Sequence, residues 1–570
     1  MGAMVSLTTD IVVIGGGATG TGVLRDVAMR GFDSILLERA DLAQGTTGRF
    51  HGLLHSGGRY VVSDPESATE CAQENAILRR IHSDAVEETG GFFVVTPEDS
   101  QDYADGFLAA AKKTHVPAAE ISVREALRRE PRLNPGIKRV FEVEDGAVDG
   151  WRMVWGTVAS AREYGAQVLT YHRVTKIVTE QGAISAVLAT NEKTGEKVSI
   201  TCRAVINAGG PWAGQIAHMA GAHDVAVVPG RGIMVAMNHR LVNTVINRCI
   251  YPTDGDILVP DHTVCIIGTT DQAADNPDFL EIRPEEVQRM LDAGEALVPG
   301  FRKARALHVW AGARPLVKDT RVSATDTRHM SRGMSILDHE KRDGISGMFT
   351  VTGGKLTTYR LMAKNVVDAL CEQLGEDRLC CTDQEEVPTA SSENHRVSDR
   401  LKNAENVRLG DQIVCECELV TRSMITNALE KQPNANFDDI RRQLRIGMGP
   451  CQGTFCAIRT AAIMHDIRCA GGIHVDHTNA QLNLFLRNRA YGLEPLMYGQ
   501  QLREAALNAW ITHGTLEISH LPKPSQEAIE ATGDYALIHG SLSAPPVLEK
   551  NRNEWLAQCA VDDADANEGA

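Results

Sequence analysis

Four cysteines in the C-terminal third of the chain are spaced as ligands of a metal centre. They occur as Cys415-Glu-Cys417 and Cys451-Gln-Gly-Thr-Phe-Cys456, with Gly447-Met-Gly449 just before the second pair. Zinc sites usually take pairs spaced Cys-x₂₋₄-Cys, which the first pair does not match. Thiolate ligation of a [2Fe–2S] cluster accepts more varied spacings, and neighbouring glycines let backbone N–H groups reach the sulfur atoms. The spacing favours a cluster over zinc, and over reduced structural cysteines.

A second group of chemically active residue types lies between residues 45 and 60, where glycines and small hydroxyls are followed by His and Arg. Thr46 and Thr47 offer hydroxyl donors to a phosphate. His51, His55 and Arg59 recur every fourth residue, so His55 and Arg59 would share a face if Leu53–Tyr60 were helical. A single histidine here is more often structural, but two histidines and an arginine in a Gly-rich turn favour a functional site.

Three further cations stand beside turn residues. Arg314 lies in Trp310-Ala-Gly-Ala-Arg-Pro-Leu316, which predicts a bend, and Arg332 heads a predicted strand. Lys355 follows a glycine pair at the start of a predicted helix, where it could meet an anion. Each arginine alone is more often a surface ion-pair partner.

The element that must position these groups is Ile11-Val-Val-Ile14 followed by Gly15-x-Gly17-x-x-Gly20. The apolar run predicts a buried strand, and the Ala-rich segment to about Arg30 predicts a helix. A second strand, Ile35-Leu-Leu37, ends at Glu38, where an acid can accept ribose hydroxyls. Strand, glycine turn, helix, strand and terminal acid together predict a dinucleotide site. The alternative is a Gly-rich βαβ turn without a ligand.

Two distant segments repeat the strand-to-glycine pattern. They are Val205-Ile-Asn-Ala-Gly-Gly-Pro-Trp212 and Met348-Phe-Thr-Val-Thr-Gly-Gly-Lys-Leu-Thr-Thr-Tyr-Arg360. All three turns suit one nucleotide, since glycine lets the backbone approach it. Val174, on a predicted strand, could contact an adenine or simply pack in the core.

The rest of the chain predicts supporting structure. We expect helices and the strand Phe92–Val95 between residues 65 and 129, and a helix at Trp151–Tyr164. Short alternating strands at Val225–Val228, Ile233–Met237, Ile257–Val259 and Val264–Thr269 predict an antiparallel cap sheet. Residues 376–411 are polar and predict a linker, in which we assign no role to Cys380 and Cys381. The last hundred residues predict helices and a disordered tail at Ala560–Ala570.

Composition excludes several classes of protein. The 570 residues carry 58 Lys and Arg against 74 Asp and Glu, a net charge of −16, which argues against nucleic-acid binding and a polybasic membrane patch. No apolar run approaches the ~18 residues that cross a bilayer, and the early first strand predicts no signal peptide. Thirteen scattered cysteines do not form a secreted disulfide framework. We expect a cytoplasmic protein.

The Gly-rich strand turn, His55-Ser-Gly-Gly-Arg-Tyr60, Ala313-Arg-Pro315 and Gly353-Gly-Lys-Leu-Thr-Thr-Tyr-Arg360 resemble FAD-dependent glycerol-3-phosphate dehydrogenases. The cysteine pairs resemble the [2Fe–2S] domain of the bacterioferritin-associated ferredoxin type. Together these motifs resemble the A subunits of anaerobic, membrane-associated glycerol-3-phosphate dehydrogenases, over nearly the whole chain.

The resemblance implies oxidation of sn-glycerol 3-phosphate to dihydroxyacetone phosphate, with FAD as hydride acceptor. It also implies two partners, an iron–sulfur C subunit plus a flavin-bearing B subunit. The C subunit would dock the complex on the inner face of the cell membrane and pass electrons to a quinone, as in anaerobic respiration. A one-electron cluster suits an acceptor other than O₂.

The resemblance also implies roles for individual residues. Substrate and phosphate binding fall to Arg59, Tyr60, Arg314, Arg332 and Lys355, with Arg314, Lys355 and His55 as the catalytic group. Removal of a hydride requires a base for the adjacent hydroxyl proton. We favour His55, a neutral imidazole near pH 7, over His51. The predicted cofactor-binding residues are Gly15, Gly17, Ala18, Thr19, Gly20, Glu38, Arg39, Thr46, Thr47, Val174, Ala208, Gly209, Gly354, Leu356 and Thr357, and the cluster ligands are Cys415, Cys417, Cys451 and Cys456.

The predicted fold class is α/β: a Rossmann-like FAD-binding domain with an antiparallel-sheet cap, followed by a small α-rich [2Fe–2S] domain. The oxidoreductase domain would span 1–375, with FAD-binding parts near 8–90, 165–220 and 340–375 and the cap near 225–335. The linker at 376–411, the cluster domain at 412–468 and a helical segment at 469–570 would follow.

Two alternatives remain from the residues alone. One is an amino-acid or hydroxy-acid dehydrogenase on the same flavin fold, whose carboxylate substrate would need only a single Arg fork. The cluster of Arg59, Arg314, Arg332 and Lys355 favours a phosphate instead. The other is a non-catalytic, cluster-bearing scaffold subunit.

Overall fold

The computed structural model describes residues 4–223, 225–317, 333–389, 396–406, 410–433, 435–470 and 475–532. Arg332 and the predicted disordered tail lie outside these residues. Contacts divide the chain into a first unit, which contains Met1–Asn191, Glu196–Arg305 and Trp310–Ser392, and a second unit made chiefly of Glu393–Ala570. Within the described ranges, no helix combines the length and apolarity needed to cross a bilayer.

The strands follow one another in chain order as β1 (Val5–Thr8), β2 (Ile11–Ile14), β3 (Ser34–Leu37), β4 (Leu53–Leu54), β5 (Val86–Glu87), β6 (Gly91–Val95), β7 (Ala118–Ile121), β8 (Arg139–Val143), β9 (Gly146–Val148), β10 (Gln167–Leu169), β11 (His172–Glu180), β12 (Ala183–Asn191), β13 (Lys197–Thr201), β14 (Ala204–Asn207), β15 (Val227–Met237), β16 (Val245–Arg248), β17 (Ile257–Asp261), β18 (Val264–Gly268), β19 (Gln272–Ala273), β20 (Ala306–Val317), β21 (Met334–Asp338), β22 (Met348–Gly353), β23 (Ile413–Cys415) and β24 (Val420–Thr421).

The α-helices are α1 (Ala18–Met29), α2 (Pro65–Ile81), α3 (Asp102–Lys113), α4 (Val123–Arg129), α5 (Gly150–Glu163), α6 (Ala213–His218), α7 (Pro284–Leu297), α8 (His339–Asp343), α9 (Tyr359–Leu374), α10 (Val397–Asn406), α11 (Arg422–Lys431), α12 (Phe437–Leu444), α13 (Cys456–Ala470), α14 (Val475–Ala490), α15 (Gly499–Ala509) and α16 (Gln526–Thr532).

The first unit is built on a six-stranded sheet in the order β10-β3-β2-β14-β22-β21. Its strands are parallel except for β21, which pairs antiparallel with β22. Ile11 and Val13 of β2 face helices α1, α5 and α9, whereas Val12 and Ile14 face the four-stranded sheet β1-β13-β12-β11. This burial on both faces explains why β2 is a continuous apolar run. The predicted Rossmann-like α/β core is therefore present.

The cap is a larger sheet than the sequence predicted. Its strands run in the order β19-β15-β18-β17-β16-β6-β8-β7, with β20 paired to β15. Strands β6, β7 and β8 come from the segment that the sequence indicated as helical scaffold, and β20 contains the predicted bend at Arg314. Because β20 pairs with β15 alone among the described strands, it is an edge strand, which tolerates Pro315.

The start of the predicted linker is docked onto the first unit. Arg25 of α1 is buried and donates from its two terminal nitrogens to the carbonyls of Thr382 and Glu385, both at 2.9 Å. Arg30 donates to the Arg378 carbonyl at 2.8 Å. We call residues 376–389 the docked segment. The prediction of a linker was wrong for this part, because buried arginines of α1 satisfy its carbonyls.

The second unit has its own apolar core of helices α11 to α14 beside the β23–β24 hairpin. Phe437 and Phe485 pack with ring centroids 4.7 Å apart. Arg400 of α10 is buried and donates to the carbonyls of Glu418 and Leu444 at 2.7 and 3.2 Å. This unit is the α-rich domain that the sequence predicted around the cysteine pairs.

Candidate functional site

The three predicted glycine turns lie side by side at the carboxyl ends of neighbouring parallel strands. Strand β2 leads into Gly15, β14 into Ala208 and Gly209, and β22 into Gly354. Strand β14 pairs with both β2 and β22. Gly15 has φ +114°, and a Cβ there would meet the Ala208 carbonyl oxygen at 2.5 Å. Carboxyl ends of parallel strands are where such sheets bind nucleotides.

The N-terminus of α1 offers amide groups to an anion. Gly20 packs so closely on the Gly15 carbonyl that a Cβ would lie 1.9 Å from its oxygen, whereas a Cβ on Gly17 would meet only Thr47 Oγ1, at 3.2 Å. The first turn of α1 has no acidic residue, and Gly17 provides no side-chain cap. An uncapped helix start behind an open glycine fits a pyrophosphate.

Glu38 fixes the glycine loop from the second strand. Its carboxylate accepts from the amides of Gly16 at 2.7 Å and Ala40 at 2.9 Å. Thr47 Oγ1 accepts from the Ala18 amide at 3.0 Å, so its own proton remains available to a phosphate. Thr46 Oγ1 instead donates to the Ala313 carbonyl at 2.6 Å, and its predicted phosphate contact stays a prediction.

A chain of side chains holds the second glycine turn. Asn207 Oδ1 accepts from the Gly209 amide at 3.1 Å, and its Nδ2 donates to Thr350 Oγ1 at 3.1 Å. The buried His339 joins Thr350 Oγ1, 2.8 Å from its Nε2, to Asp343, 2.5 Å from its Nδ1. The sequence analysis missed His339, because nothing near it in the sequence resembles a site.

The remaining predicted cofactor residues occupy different surroundings. Thr19 Oγ1 lies 4.0 Å from Met362 Sδ, and Gly354 also packs against Met362. Leu356 and Thr357 form the short helix after Lys355. Arg39 stacks over the Trp212 indole at 4.3 Å and pairs with Asp278. Val174 is buried among core residues of the β11 layer, so its adenine contact stays a prediction.

Two of the predicted arginines are held by carboxylates. Arg59 pairs with the buried Asp256 at 2.9 Å. Arg314 pairs with Asp271 at 3.2 Å and donates to Thr269 Oγ1 and to the Thr270 carbonyl. These carboxylates were not predicted, since they lie far away in the sequence. Each fixes a guanidinium and offsets part of its charge.

Lys355 and Tyr60 form the neighbouring part of the site. Lys355 Nζ lies 4.6 Å from the Tyr60 ring centroid and donates to Ser67 Oγ at 2.9 Å. Its charge also acts on the Glu70 carboxyl, whose pKa is raised by burial and lowered by this ammonium, with burial dominant. Tyr60 in turn contacts His55, with ring centroids 5.5 Å apart.

His51 has a defined tautomer. Its Nδ1 accepts from the Leu53 amide at 3.2 Å, so the neutral ring carries its proton on Nε2. Burial, together with the positive charges of Arg59 and Arg314, lowers the pKa of His51 to about 3. The ring is therefore neutral at physiological pH and acts as a hydrogen-bond donor through Nε2.

His55 lies between these groups. Its ring centroid is 6.3 Å from that of His51. The segment around it is β4 followed by a short helix at Gly58–Tyr60, so the conditional prediction of a shared helical face was wrong. The turn conformation of Gly57, φ +96°, interrupts any helix here. The two histidines nevertheless come together with Tyr60, Arg59, Arg314 and Lys355.

In the second unit, the four cysteine thiols contact one another. Cys415 meets Cys456, and Cys451 meets both Cys417 and Cys456. Hydrogen bonds from Cys456 and Cys417 lower the pKa values of Cys415 and Cys451, respectively. A Cβ on Gly449 would lie 2.3 Å from Cys417 Cβ. Glycine is thus required for the two cysteine segments to approach.

The four thiols suit a cluster that is held by pairs of sulfurs. The Gly453 and Phe455 amides interact with the Cys451 sulfur, as expected for a thiolate ligand. Elsewhere and here, the described residues contain no group of three or more His, Cys, Asp or Glu side chains arranged to hold a metal ion. The assignment of a cluster therefore rests on the contacts among the four sulfurs and on the family match.

Two family models match the chain. The FAD dependent oxidoreductase model matches residues 10–369, and the BFD-like [2Fe-2S] binding domain model matches residues 413–466. These matches confirm the predicted fold class and the predicted cofactors, FAD and a [2Fe–2S] cluster.

Full-length relatives are similar to this chain throughout. The A subunit of the anaerobic glycerol-3-phosphate dehydrogenase of Haemophilus influenzae is 38% identical over 554 residues, 93% of this chain and 97% of that protein. The protein of the same name from Escherichia coli strain K12 is 39% identical over 547 residues, 92% and 99% of the two chains.

Solved structures share the fold. A glycerol-3-phosphate dehydrogenase from Bacillus halodurans, complexed with FAD, superposes with a TM-score of 0.57 at 19% identity, covering 95% of this chain and 96% of that one. An L-proline dehydrogenase from P. horikoshii gives a TM-score of 0.54 at 19% identity, covering 66% of this chain and 96% of that one.

Proposed function

Since this chain belongs to the FAD-dependent oxidoreductases and, among them, to the family of anaerobic glycerol-3-phosphate dehydrogenase A subunits, we propose that it oxidises sn-glycerol 3-phosphate to dihydroxyacetone phosphate. The observation that carries the proposal is the gathering of Arg59, Arg314 and Lys355 around His51 and His55 in the flavin-binding unit. Bound FAD supplies the hydride acceptor, and the cluster supplies a one-electron outlet.

His55 acts as the general base that removes the C2 hydroxyl proton. The competing base, His51, is unsuited because its Nδ1 faces the Leu53 amide and its Nε2 already bears the proton. A second proton on Nδ1 would point at that amide, which can only donate. His51 therefore donates from Nε2 to the substrate oxygen, while His55 accepts the proton.

The cations divide the work of binding the phosphate. Arg314 and Arg59 are each fixed by a carboxylate, so they present oriented donors with reduced net charge. Lys355 is held by a hydroxyl and an aromatic face, so its ammonium contributes most of the net positive charge. Arg332 adds a further predicted phosphate contact. The fixed geometry holds C2 next to His55.

The electrons leave through partner proteins. The names of the relatives make each of them the A subunit of an anaerobic enzyme, which supports further subunits. Downstream of the cluster we place two of them, the flavin-bearing B subunit plus the membrane-anchoring iron–sulfur C subunit, with a quinone as the final acceptor. This chain would then be held peripherally at the inner face of the cell membrane through these partners.

An anaerobic absorption experiment tests the proposed function. Addition of glycerol 3-phosphate to the flavin-loaded protein should bleach the flavin bands, whereas a 2-hydroxy acid or an amino acid should not. The product should be dihydroxyacetone phosphate in a 1:1 ratio to reduced flavin. A stable oxidised spectrum with glycerol 3-phosphate, or bleaching by a carboxylate substrate alone, would refute the proposal.

A further inference from the structure

The main chain of His55 is fixed by three buried side chains from three separate elements. Its amide donates to Thr357 Oγ1 at 3.1 Å, and its carbonyl accepts from Asn75 Nδ2 at 2.9 Å. The next amide, that of Ser56, donates to Asp145 Oδ1 at 2.8 Å. Thr357, Asn75 and Asp145 are 0%, 2% and 2% exposed. Three consecutive polar groups of the main chain thus end on side chains rather than on a sheet or helix.

Each of these side chains is itself held in place. Asp145 Oδ2 accepts from Asn247 Nδ2 at 2.9 Å, which ties it to strand β16 of the cap sheet. Asn75 Oδ1 accepts from Arg79 Nε at 2.8 Å, and Arg79 also donates to the Asp145 carbonyl at 2.8 Å. Thr357 lies in the turn that follows Lys355. The His55 backbone therefore connects the flavin-side turn, helix α2 and the cap sheet.

We propose that Asp145, Asn75 and Thr357 are positioning residues for His55, which set the imidazole against the substrate carbon by fixing the peptide groups on either side of it. The proposal rests on the proposed function of His55 as base. With the backbone fixed, the ring moves only by its own side-chain torsions, between Tyr60 and His51. Displacement of a catalytic group by ~1 Å costs on the order of 100-fold in rate.

Asp145 is the member best suited to a test because the acceptor and the charge can be separated. Asp145→Asn keeps an oxygen for the Ser56 amide. Its new Nδ2 can be accommodated by rotation of the Asn247 amide, whose Oδ1 is buried and accepts no hydrogen bond from the described residues. Asp145→Ala removes the acceptor altogether. A buried unpaired Ser56 N–H then has to find another partner, which moves the backbone next to His55.

The experiment measures kcat, KM, flavin content and the D₂O solvent isotope effect for the full-length protein and these two variants, with glycerol 3-phosphate and an artificial acceptor. We expect Asp145→Ala to lower kcat per bound flavin by about 10- to 100-fold. KM should change less, and the solvent isotope effect on kcat should rise because proton transfer becomes slower. Asp145→Asn should restore kcat to within about threefold of the wild type, since the backbone contact survives.

A second pair of variants keeps the test sharp if Asp145→Ala does not fold. Thr357→Val is isosteric but lacks the acceptor for the His55 amide, and Thr357→Ser retains it. The same fall in kcat per bound flavin for Val, with recovery for Ser, is expected. Wild-type kcat and isotope effect in folded, flavin-loaded Asp145→Ala or Thr357→Val would overturn the positioning role.

The outcomes also separate the inference from the proposed function. If the wild type turns over and His55→Asn does not, while Asp145→Ala and Thr357→Val match the wild type, only the positioning role fails. If His55→Asn retains full kcat, His55 is not the base, and the positioning role falls with it. If the wild type fails to reduce its flavin with glycerol 3-phosphate, the proposed function is refuted first.

Discussion

Replacement of Lys355 by methionine should reveal how the site recognises a phosphate. Lys355 Nζ contacts Ser67 Oγ and the Tyr60 ring. No carboxylate among the described residues forms an ion pair with it, whereas Arg59 and Arg314 are paired with Asp256 and Asp271. Its ammonium is therefore the main uncompensated charge available to a phosphate. Methionine keeps the aliphatic packing on Tyr60 and removes only the charged head.

The magnitude follows from one charge-assisted hydrogen bond, ~1.5–3 kcal/mol. At ~1.4 kcal/mol per tenfold change, kcat/KM for glycerol 3-phosphate should fall by about 10- to 150-fold. Because the lost contact is to the phosphate, kcat/KM for unphosphorylated glycerol should stay within about twofold. Flavin content, measured by absorbance, should match the wild type.

The assay is steady-state turnover with both substrates and an artificial acceptor. Lys341→Met is the matched control, because Lys341 is 77% exposed and pairs with Asp338 at the surface of the first unit. Equal losses with glycerol and glycerol 3-phosphate, or full activity of Lys355→Met, would refute the assignment of Lys355 to the phosphate.

Three further outcomes are expected. Glu38→Ala removes the acceptor of the Gly16 and Ala40 amides, so the FAD dissociation constant, followed by flavin fluorescence on titration of the apoprotein, should rise at least ~10-fold; unchanged affinity would contradict the role of Glu38. Cys451→Ser should abolish the [2Fe–2S] absorption and iron content but leave flavin reduction by glycerol 3-phosphate intact; loss of both would show a structural dependence instead. Burial lowers the pKa of His82 from 6.5 to about 3, so the unfolded state binds the extra proton between these values and the free energy of unfolding should fall as the pH drops through that window. Since His51 contributes equally in both proteins, His82→Gln should flatten this slope by up to ~1.4 kcal/mol per pH unit in urea titrations, and an unchanged slope would show that His82 is not buried neutral.

The flavin-side turns were predictable because their signal is local. A buried strand, a glycine and a helix start occur within a dozen residues, and the turns at Gly15, Gly209 and Gly354 follow directly from it. That these strands are neighbours required only that all three suit one nucleotide. The cysteine pairs were equally local, since spacing alone brings their thiols into reach.

Pairing between distant segments was not predictable in the same way. Asp256, Asp271 and Asp145 carry no motif, and their importance lies in the arginines and the amide that they meet after folding. Strands β6, β7 and β8 join the cap sheet by long-range pairing. Pro315 and Gly312 indicated a bend at Arg314, yet an edge strand accommodates both. The proton position on His51 follows from one backbone contact that no sequence pattern encodes.

The docked segment changes where the flavin-binding unit can be cut. A fragment that stops at Gly375, the predicted end of the domain, would leave the buried Arg25 guanidinium without the Thr382 and Glu385 carbonyls. Arg30 would lose the Arg378 carbonyl as well. At ~1–3 kcal/mol for each orphaned buried donor, such a fragment would forfeit a large share of an ordinary domain's stability. A folded, flavin-loaded fragment must therefore retain the chain through Pro388.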